Sequence, residues 1–259
     1  MSDFVRYPLA SRFTLRHDGG RRTRRVRMLA GTSDWRRDLL DRLGGAAVAA
    51  VGTRPWPTTA AWPWPAADPT MIEAALGDRM HGVTIVAAAT PRQPGRARLS
   101  LLGRVGNQDV VVKLGHPDDG IEMETAALEL LMSDPLPGIL TPTVIAVGRL
   151  ADDITFLATD ALGLDRQRPS IGEPLHNFER HLTERLASLP RPVGTSNDAV
   201  PVHGDLAPWN LRKTGRGLAL FDWEAAGWGA PGSDLEFYRR SCDQLLTASP
   251  GRSIRGRRR

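Results

Sequence analysis

The sequence predicts an α+β chain in two unequal lobes, a small antiparallel sheet carrying one helix and then a mostly helical portion, with an N-terminal extension ahead of both. Three observations predict it. Short apolar, β-branched runs recur between residues 97 and 159, an apolar face at helical spacing interrupts them at 121–131, and a second such face at 175–189 opens the helical portion. With 259 residues and 41% hydrophobic content, the chain is long enough for one two-lobed domain or two small ones.

Residues 1–90 are expected to form the extension. Within it Thr32 to Gly44 reads as a capped helix ending at a glycine. Arg54 to Pro65 holds three Trp-Pro pairs, and since the residue before each proline is pushed out of the helical region, this stretch is extended or irregular. Three exposed tryptophans would invite aggregation, so they are expected to pack on the protein itself. The sheet part is expected over residues 91–160, with strands at Ala97–Leu102, Asp109–Lys113, Thr143–Gly148 and Ile154–Thr159 and a helix at Ile121–Leu131. The remainder, 161–259, begins with a helix from Leu175 to Leu189 whose Leu175, Phe178, Leu182, Leu186 and Leu189 share one face, leaving His176 and His181 off it. Val200–Val202 reads as a short strand, Lys213 as a solvated turn residue, and Asp234, after Gly232 and Ser233, as opening the last helix with a capping signature.

Composition excludes several classes of function. The single cysteine, Cys242, rules out an internal disulfide and offers no metal-cluster spacing; it is expected to pack inside the last helix. No apolar run approaches ~18 residues, so no membrane span is expected, and the arginine-rich start lacks the apolar segment of a secretory signal. A cytoplasmic protein is the expectation. The net charge of +5 raises nucleic acid as a partner, but the excess sits at the ends: eight Arg against two acids in residues 1–30, and five Arg with no acid in 251–259. Such ends are expected to be solvated, so nucleic acid is not expected as a partner.

The chemistry is concentrated in Val202-His203-Gly204-Asp205 through Asn210, followed by Asp222-Trp223-Glu224 after the run Gly217–Phe221. An Asp and an Asn five apart on a tight loop, with another Asp at the end of a short hydrophobic run, is the arrangement needed to accept a hydroxyl proton and hold Mg²⁺ beside it. This points to phosphoryl transfer.

The pattern resembles the aminoglycoside phosphotransferase family, the small-molecule branch of the protein-kinase-like fold that also includes choline and homoserine kinases. Glycine in the middle of His203-Gly204-Asp205, where protein kinases have arginine, belongs to that branch. The resemblance covers roughly residues 91–245 and leaves the first ninety outside it. It implies a two-lobed kinase-like fold, Asp205 as catalytic base, Asn210 and Asp222 as Mg²⁺ ligands, and His203 as a structural support of the loop. It also implies Asp234-Leu235 as a support for the metal loop, and ATP or GTP with a small hydroxylated substrate as partners.

Lysine usage adds an independent line. Lys113 and Lys213 are the only lysines among 34 Lys and Arg residues. A chain so biased to arginine is expected to keep a lysine where a compact ammonium is required between phosphates. Lys113 ends the strand-like run Asp109–Lys113, as the phosphate-binding lysine of kinases does. Its carboxylate partner is expected from the 121–131 helix. Glu124 lies at the border of the apolar face and matches the family's Glu-x-x-Ala-Leu, with Glu122 as the runner-up.

Thr159–Gly163 falls where a hinge would meet a nucleotide base, and Thr90–Gly95 where a phosphate-covering loop would lie, although it lacks Gly-x-Gly-x-x-Gly. Only about twenty-five residues follow Asp234, fewer than the family usually adds to build an acceptor pocket, so a minimal, truncated or partner-completed chain is expected. Seven acids against five bases in residues 198–243 are too slight an excess to favour a polycationic acceptor. The reading is an ATP-dependent phosphotransferase acting on a hydroxyl of a small molecule; the alternative is a non-catalytic nucleotide-binding protein on the same fold.

Overall fold

A computed structural model of the chain describes residues 4–6, 13–16, 62, 64, 68–90, 98–151, 153–162, 168–173, 175 and 177–247. Its largest element is a seven-stranded antiparallel sheet. The strands are β1 (Phe4–Arg6), β2 (Phe13–Arg16), β3 (Val83–Ala89), β4 (Leu99–Val105), β5 (Gln108–Gly115), β7 (Val144–Ala151) and β8 (Ile154–Asp160), ordered β1-β2-β3-β4-β5-β8-β7. β6 (Ile139–Leu140) belongs to a second, smaller sheet, where it lies parallel to β12 (Gly217–Leu220).

Each face of the large sheet buries a helix. On one, Ile72, Leu76 and Met80 of α1 (Pro69–Met80) pack with Ile85, Leu101, Val112, Leu114 and Phe156. On the other, Leu157 joins Ile121, Ala127, Leu128 and Leu131 of α2 (Ile121–Ser133). Strand alternation explains the split: successive residues Phe156 and Leu157 point to opposite faces, and so do Val112 and Lys113. Burial of five or so large apolar side chains on each face, at about 2 kcal/mol apiece, is what fixes both helices to the sheet.

The second cluster continues through Phe178 and Leu182 of α3 (Phe178–Arg185), Leu206, Leu211, Leu220, Trp223, and Tyr238 and Cys242 of α4 (Ser233–Thr247). The remaining strands are β9 (Arg168–Pro169), β10 (Val200–Val202), β11 (Leu211–Thr214) and β13 (Gly227–Gly229).

Several expectations are revised. The sheet starts well before residue 91: β3 pairs with β4, β2 pairs with β3, and α1 covers them, because 72, 76 and 80 form an apolar stripe that the reading of the first ninety residues passed over. The helix expected over 175–189 is confined to Phe178–Arg185, since Asn177 at its start has φ 58° and Leu186 leaves helical geometry; Phe178, Leu182, Leu186 and Leu189 are nonetheless all buried. Lys213 sits in β11 rather than in the turn after it, paired with Glu173 at 2.6 Å. Trp64 is buried and Trp62 partly so, both against the first cluster, as expected for these two; Trp56 lies outside the described residues. The helix expected at 32–44, residues 91–95 of the loop expected at Thr90–Gly95, and the arginine-rich tail lie outside the described residues.

Candidate active site

Lys113 leaves the sheet on the α2 side. Its register partners are Ser100 on β4 and Leu157 on β8. Its ammonium donates to both carboxylate oxygens of Glu124, at 2.7 and 2.9 Å, and to Asp222 Oδ1 at 2.6 Å. Glu124 reaches it from the first turn of α2, is almost wholly buried, and also accepts from the Trp223 backbone N–H at 3.2 Å. Glu122, the runner-up, is exposed.

Burial alone would lower the Lys113 pKa, but the charges of Asp222, Glu124 and Glu224 outweigh it and raise it, so the ammonium is held charged. Burial likewise works to raise Asp222, and Lys113 overrides it; the Asp222 carboxyl stays ionised, below the usual carboxylate range.

The second half of the site is the loop after β10, a strand pinned antiparallel to β13. His203 is fully buried: its Nε2 lies 3.0 Å from the Phe221 carbonyl and its Nδ1 accepts from the Asp205 N–H at 3.2 Å. Those partners assign the neutral Nε2–H tautomer. Desolvation agrees, pulling its pKa down to about 4. The ring meets Trp223 edge-on, with centroids 4.6 Å apart.

Gly204 has φ +80°, and a Cβ there would lie 2.1 Å from the Ala225 carbonyl oxygen, so this loop can pass only a glycine at its middle position. The carboxylate of Asp234, itself buried, accepts from the His203 N–H at 2.7 Å and the Gly204 N–H at 2.9 Å. The capping signature thus has a different use: Asp234 lies inside the first turn of α4 and ties that helix to the loop.

Asp205 and Asn210 face each other across the same loop. Asn210 Nδ2 donates to Asp205 Oδ2 at 2.8 Å and to the Asp205 carbonyl at 2.9 Å, while the Asn210 carbonyl accepts from the Phe221 N–H at 3.0 Å. Partial burial raises the Asp205 carboxyl to about 6; the Asn210 hydrogen bond lowers it, and the charges of Asp222, Glu224 and Asp234 add to the rise. Asp222 is a non-glycine residue at φ 64°, ψ 63°, a left-handed conformation costing about 1 kcal/mol. It turns the chain sharply from β12 into the short 3₁₀ turn Trp223–Ala225.

The five residues singled out in the sequence, Lys113, Glu124, Asp205, Asn210 and Asp222, therefore fall into two contacting groups on adjoining segments. Glu224 and Arg98 were given no role by the sequence reading, yet they form an ion pair beside them. Glu224 stands in the Asp-Trp-Glu motif, which was a usable signal; nothing in the local sequence marks Arg98.

For a divalent cation, the donor set fits. Asp222 is 40% exposed and ionised, and Asn210 has its amide nitrogen committed to Asp205, which leaves the amide oxygen as the atom able to take a cation. Two hard oxygen donors, with phosphate and water for the rest, suit Mg²⁺. Among the described residues no group of three His, Cys, Asp or Glu is arranged to hold a metal by itself.

No curated protein matches the chain. Solved structures do, at low identity. APH(2")-IIia in complex with GDP and kanamycin is 13% identical, with 68% of this chain and 82% of that chain covered and a TM-score of 0.48. Spectinomycin phosphotransferase APH(9)-Ia in complex with ADP and spectinomycin is 9% identical, with 70% and 78% covered and a TM-score of 0.48. A thermostable mutant of aminoglycoside phosphotransferase APH(4)-Ia in a ternary complex with ADP and hygromycin B is 11% identical, with 68% and 80% covered and a TM-score of 0.44. The family match carries the assignment. The model of the phosphotransferase enzyme family matches residues 8–242, which extends the likeness far ahead of the residue 91 expected from the motifs. The chain belongs to the phosphotransferase enzyme family, with its mixed α+β, kinase-like fold.

Proposed function

We propose that the protein transfers the γ-phosphoryl group of ATP or GTP to a hydroxyl of a small molecule, with Asp205 as the base. The observation that carries this is the ammonium of Lys113 held between Glu124 and Asp222, next to a loop on which Asn210 orients Asp205. Lys113, fixed by Glu124, offers a point charge to the phosphates. Asp205 accepts the acceptor hydroxyl proton, and Asn210 holds its carboxylate in one orientation while doing so. Asn210 and Asp222 are the residues that would hold Mg²⁺, which when bound neutralises phosphate charge.

His203 and Asp234 touch none of the reacting groups in this scheme; they set the loop's backbone. Positioning and charge neutralisation supply most of the rate. In the proposed arrangement the two lobes divide near residue 160, with the nucleotide between them. The similar structures hold nucleotide with an aminoglycoside or spectinomycin; for this chain the proposed partners are a nucleotide donor and a small hydroxylated acceptor. No helix among the described residues is long and apolar enough to cross a membrane; we place the enzyme in the cytoplasm, where triphosphate donors are at hand.

Asp222→Asn is the direct test of the cation site. The amide still accepts from Lys113 but cannot offset a divalent charge. Nucleotide titrations with Mg²⁺ and with EDTA should give the same weak affinity in the variant and a large Mg²⁺ enhancement in the wild type. An Asp222→Asn protein that keeps the enhancement would remove Asp222 from the metal.

A further inference from the structure

A second cation shares the sheet face that carries Lys113. β4 and β5 pair Ser100 with Lys113 and Leu99 with Leu114, so alternation places Arg98, immediately before β4, on the same face as Ser100, Lys113 and Gly115. Gly115 makes room for it: a Cβ there would stand 3.2 Å from Arg98 Cγ, and closer still to Asp119 Oδ2 and Ile121 Cδ1.

The Arg98 side chain is 8% exposed, and its Nη1 donates to Glu224 in a salt bridge. Its Nη2 is buried with no hydrogen-bond partner among the described residues. The two cations thus parallel each other, Lys113 on Asp222 and Arg98 on Glu224, with the two carboxylates flanking Trp223 in one turn. A buried guanidinium with one edge unpaired is costly, because the desolvated donors recover nothing. A fork of parallel N–H donors is also the geometry that phosphate oxygens accept from two at a time.

We propose that Arg98 is a second polyphosphate-contacting residue of this site. Glu224 holds the guanidinium in place without nucleotide, and the unpaired Nη2 donates to a phosphate oxygen when the triphosphate is bound. The inference rests on the reading that Lys113 and Asp222 form the phosphate end of a nucleotide site. It adds a contact from the strand on the other side of Lys113, and it makes the phosphate end depend on two cations of different shape.

The test titrates MgATP and adenosine separately against the full chain in wild type, Arg98→Met, Arg98→Lys, Glu224→Gln and Lys113→Met, with melting temperatures alongside. MgGTP and guanosine replace them if the wild type takes only guanine nucleotides. Arg98→Met should weaken MgATP binding about tenfold or more, the loss of a hydrogen bond between charged groups, with adenosine affinity unchanged. Arg98→Lys should recover part of it. Glu224→Gln breaks the same salt bridge and should share any loss of melting temperature, yet bind MgATP as tightly as wild type or more so. Should Arg98→Met keep wild-type MgATP affinity while Lys113→Met loses it, Arg98 is not at the phosphates. Equal losses in Arg98→Met and Glu224→Gln would make the bridge merely structural and overturn the proposal. If Lys113→Met also binds MgATP like wild type, or the wild type binds no nucleotide, the underlying site assignment falls and the proposal with it.

Discussion

Asp205→Asn should lower kcat by about 10²- to 10⁴-fold, the usual contribution of a positioned general base, while nucleotide affinity changes little. The amide keeps an oxygen for the Asn210 donor, now 2.8 Å from Asp205 Oδ2, so the loop should hold its shape and the melting temperature should stay close to wild type. What is lost is the ability to take a proton. Burial and the surrounding carboxylates raise the Asp205 pKa to about 6, and a base works only deprotonated. The wild-type kcat/KM should therefore rise with pH through the region near 6 and level off above it, and this acidic limb should vanish from the residual activity of the variant. Turnover that survives Asp205→Asn with its pH profile intact would assign the base elsewhere.

Lys113→Arg should impair transfer nearly as severely as Lys113→Met, by about a hundredfold or more, although it preserves the charge. The ammonium fills a space bounded by two Glu124 oxygens and one from Asp222, all within 2.9 Å. A planar, longer guanidinium cannot present one compact charge to all three and to a phosphate. Stability separates the variants. Lys113→Met leaves the buried Glu124 without its counter-ion, a loss of about 3 kcal/mol that protonation of Glu124, favoured by burial, would reduce. Lys113→Arg keeps a counter-ion and should melt nearer wild type. If Lys113 served only to brace α2 against the sheet, the arginine that restores stability would restore activity as well. Rates and melting temperatures of both variants settle this.

The sheet from residue 99 onward and the helix bearing Glu124 were legible because each has a clean period: Val110, Val112 and Leu114 alternate inward while Ala127, Leu128 and Leu131 share a helical face. β3 and α1 were not. Val83–Ala89 is an apolar run buried on nearly every residue, with no alternation to mark it as a strand, and its partner β4 is separated from it by about ten residues of ambiguous sequence. α1 is obscured by a mixed surface and only three core positions.

Within the site, spacing marked Asp205, Asn210 and Asp222, since Asp205 and Asn210 share one short loop and the β11–β12 hairpin returns the chain to Asn210 just before Asp222. Lys113 and Asp222 lie 109 residues apart, and their contact depends on α2 packing between the sheet and the Asp222 turn. Arg98 had no local signature, because its place beside Lys113 comes from register and from the missing side chain at Gly115. Asp234 was read from its cap-like setting and, through the resemblance, as a support for the metal loop; its carboxylate is used in the second way, 31 residues back in the chain, at His203.

Transfer of a terminal phosphoryl group to a hydroxyl can be observed directly by following γ-labelled ATP and GTP with the wild-type protein across a panel of hydroxylated small molecules, with Mg²⁺ and with EDTA. Label should appear on an acceptor hydroxyl only when Mg²⁺ is present, and none should appear with Asp205→Asn in place of the wild type. Label that fails to reach any acceptor while the protein binds MgATP tightly, or that transfers equally well with EDTA, would contradict the proposed reaction.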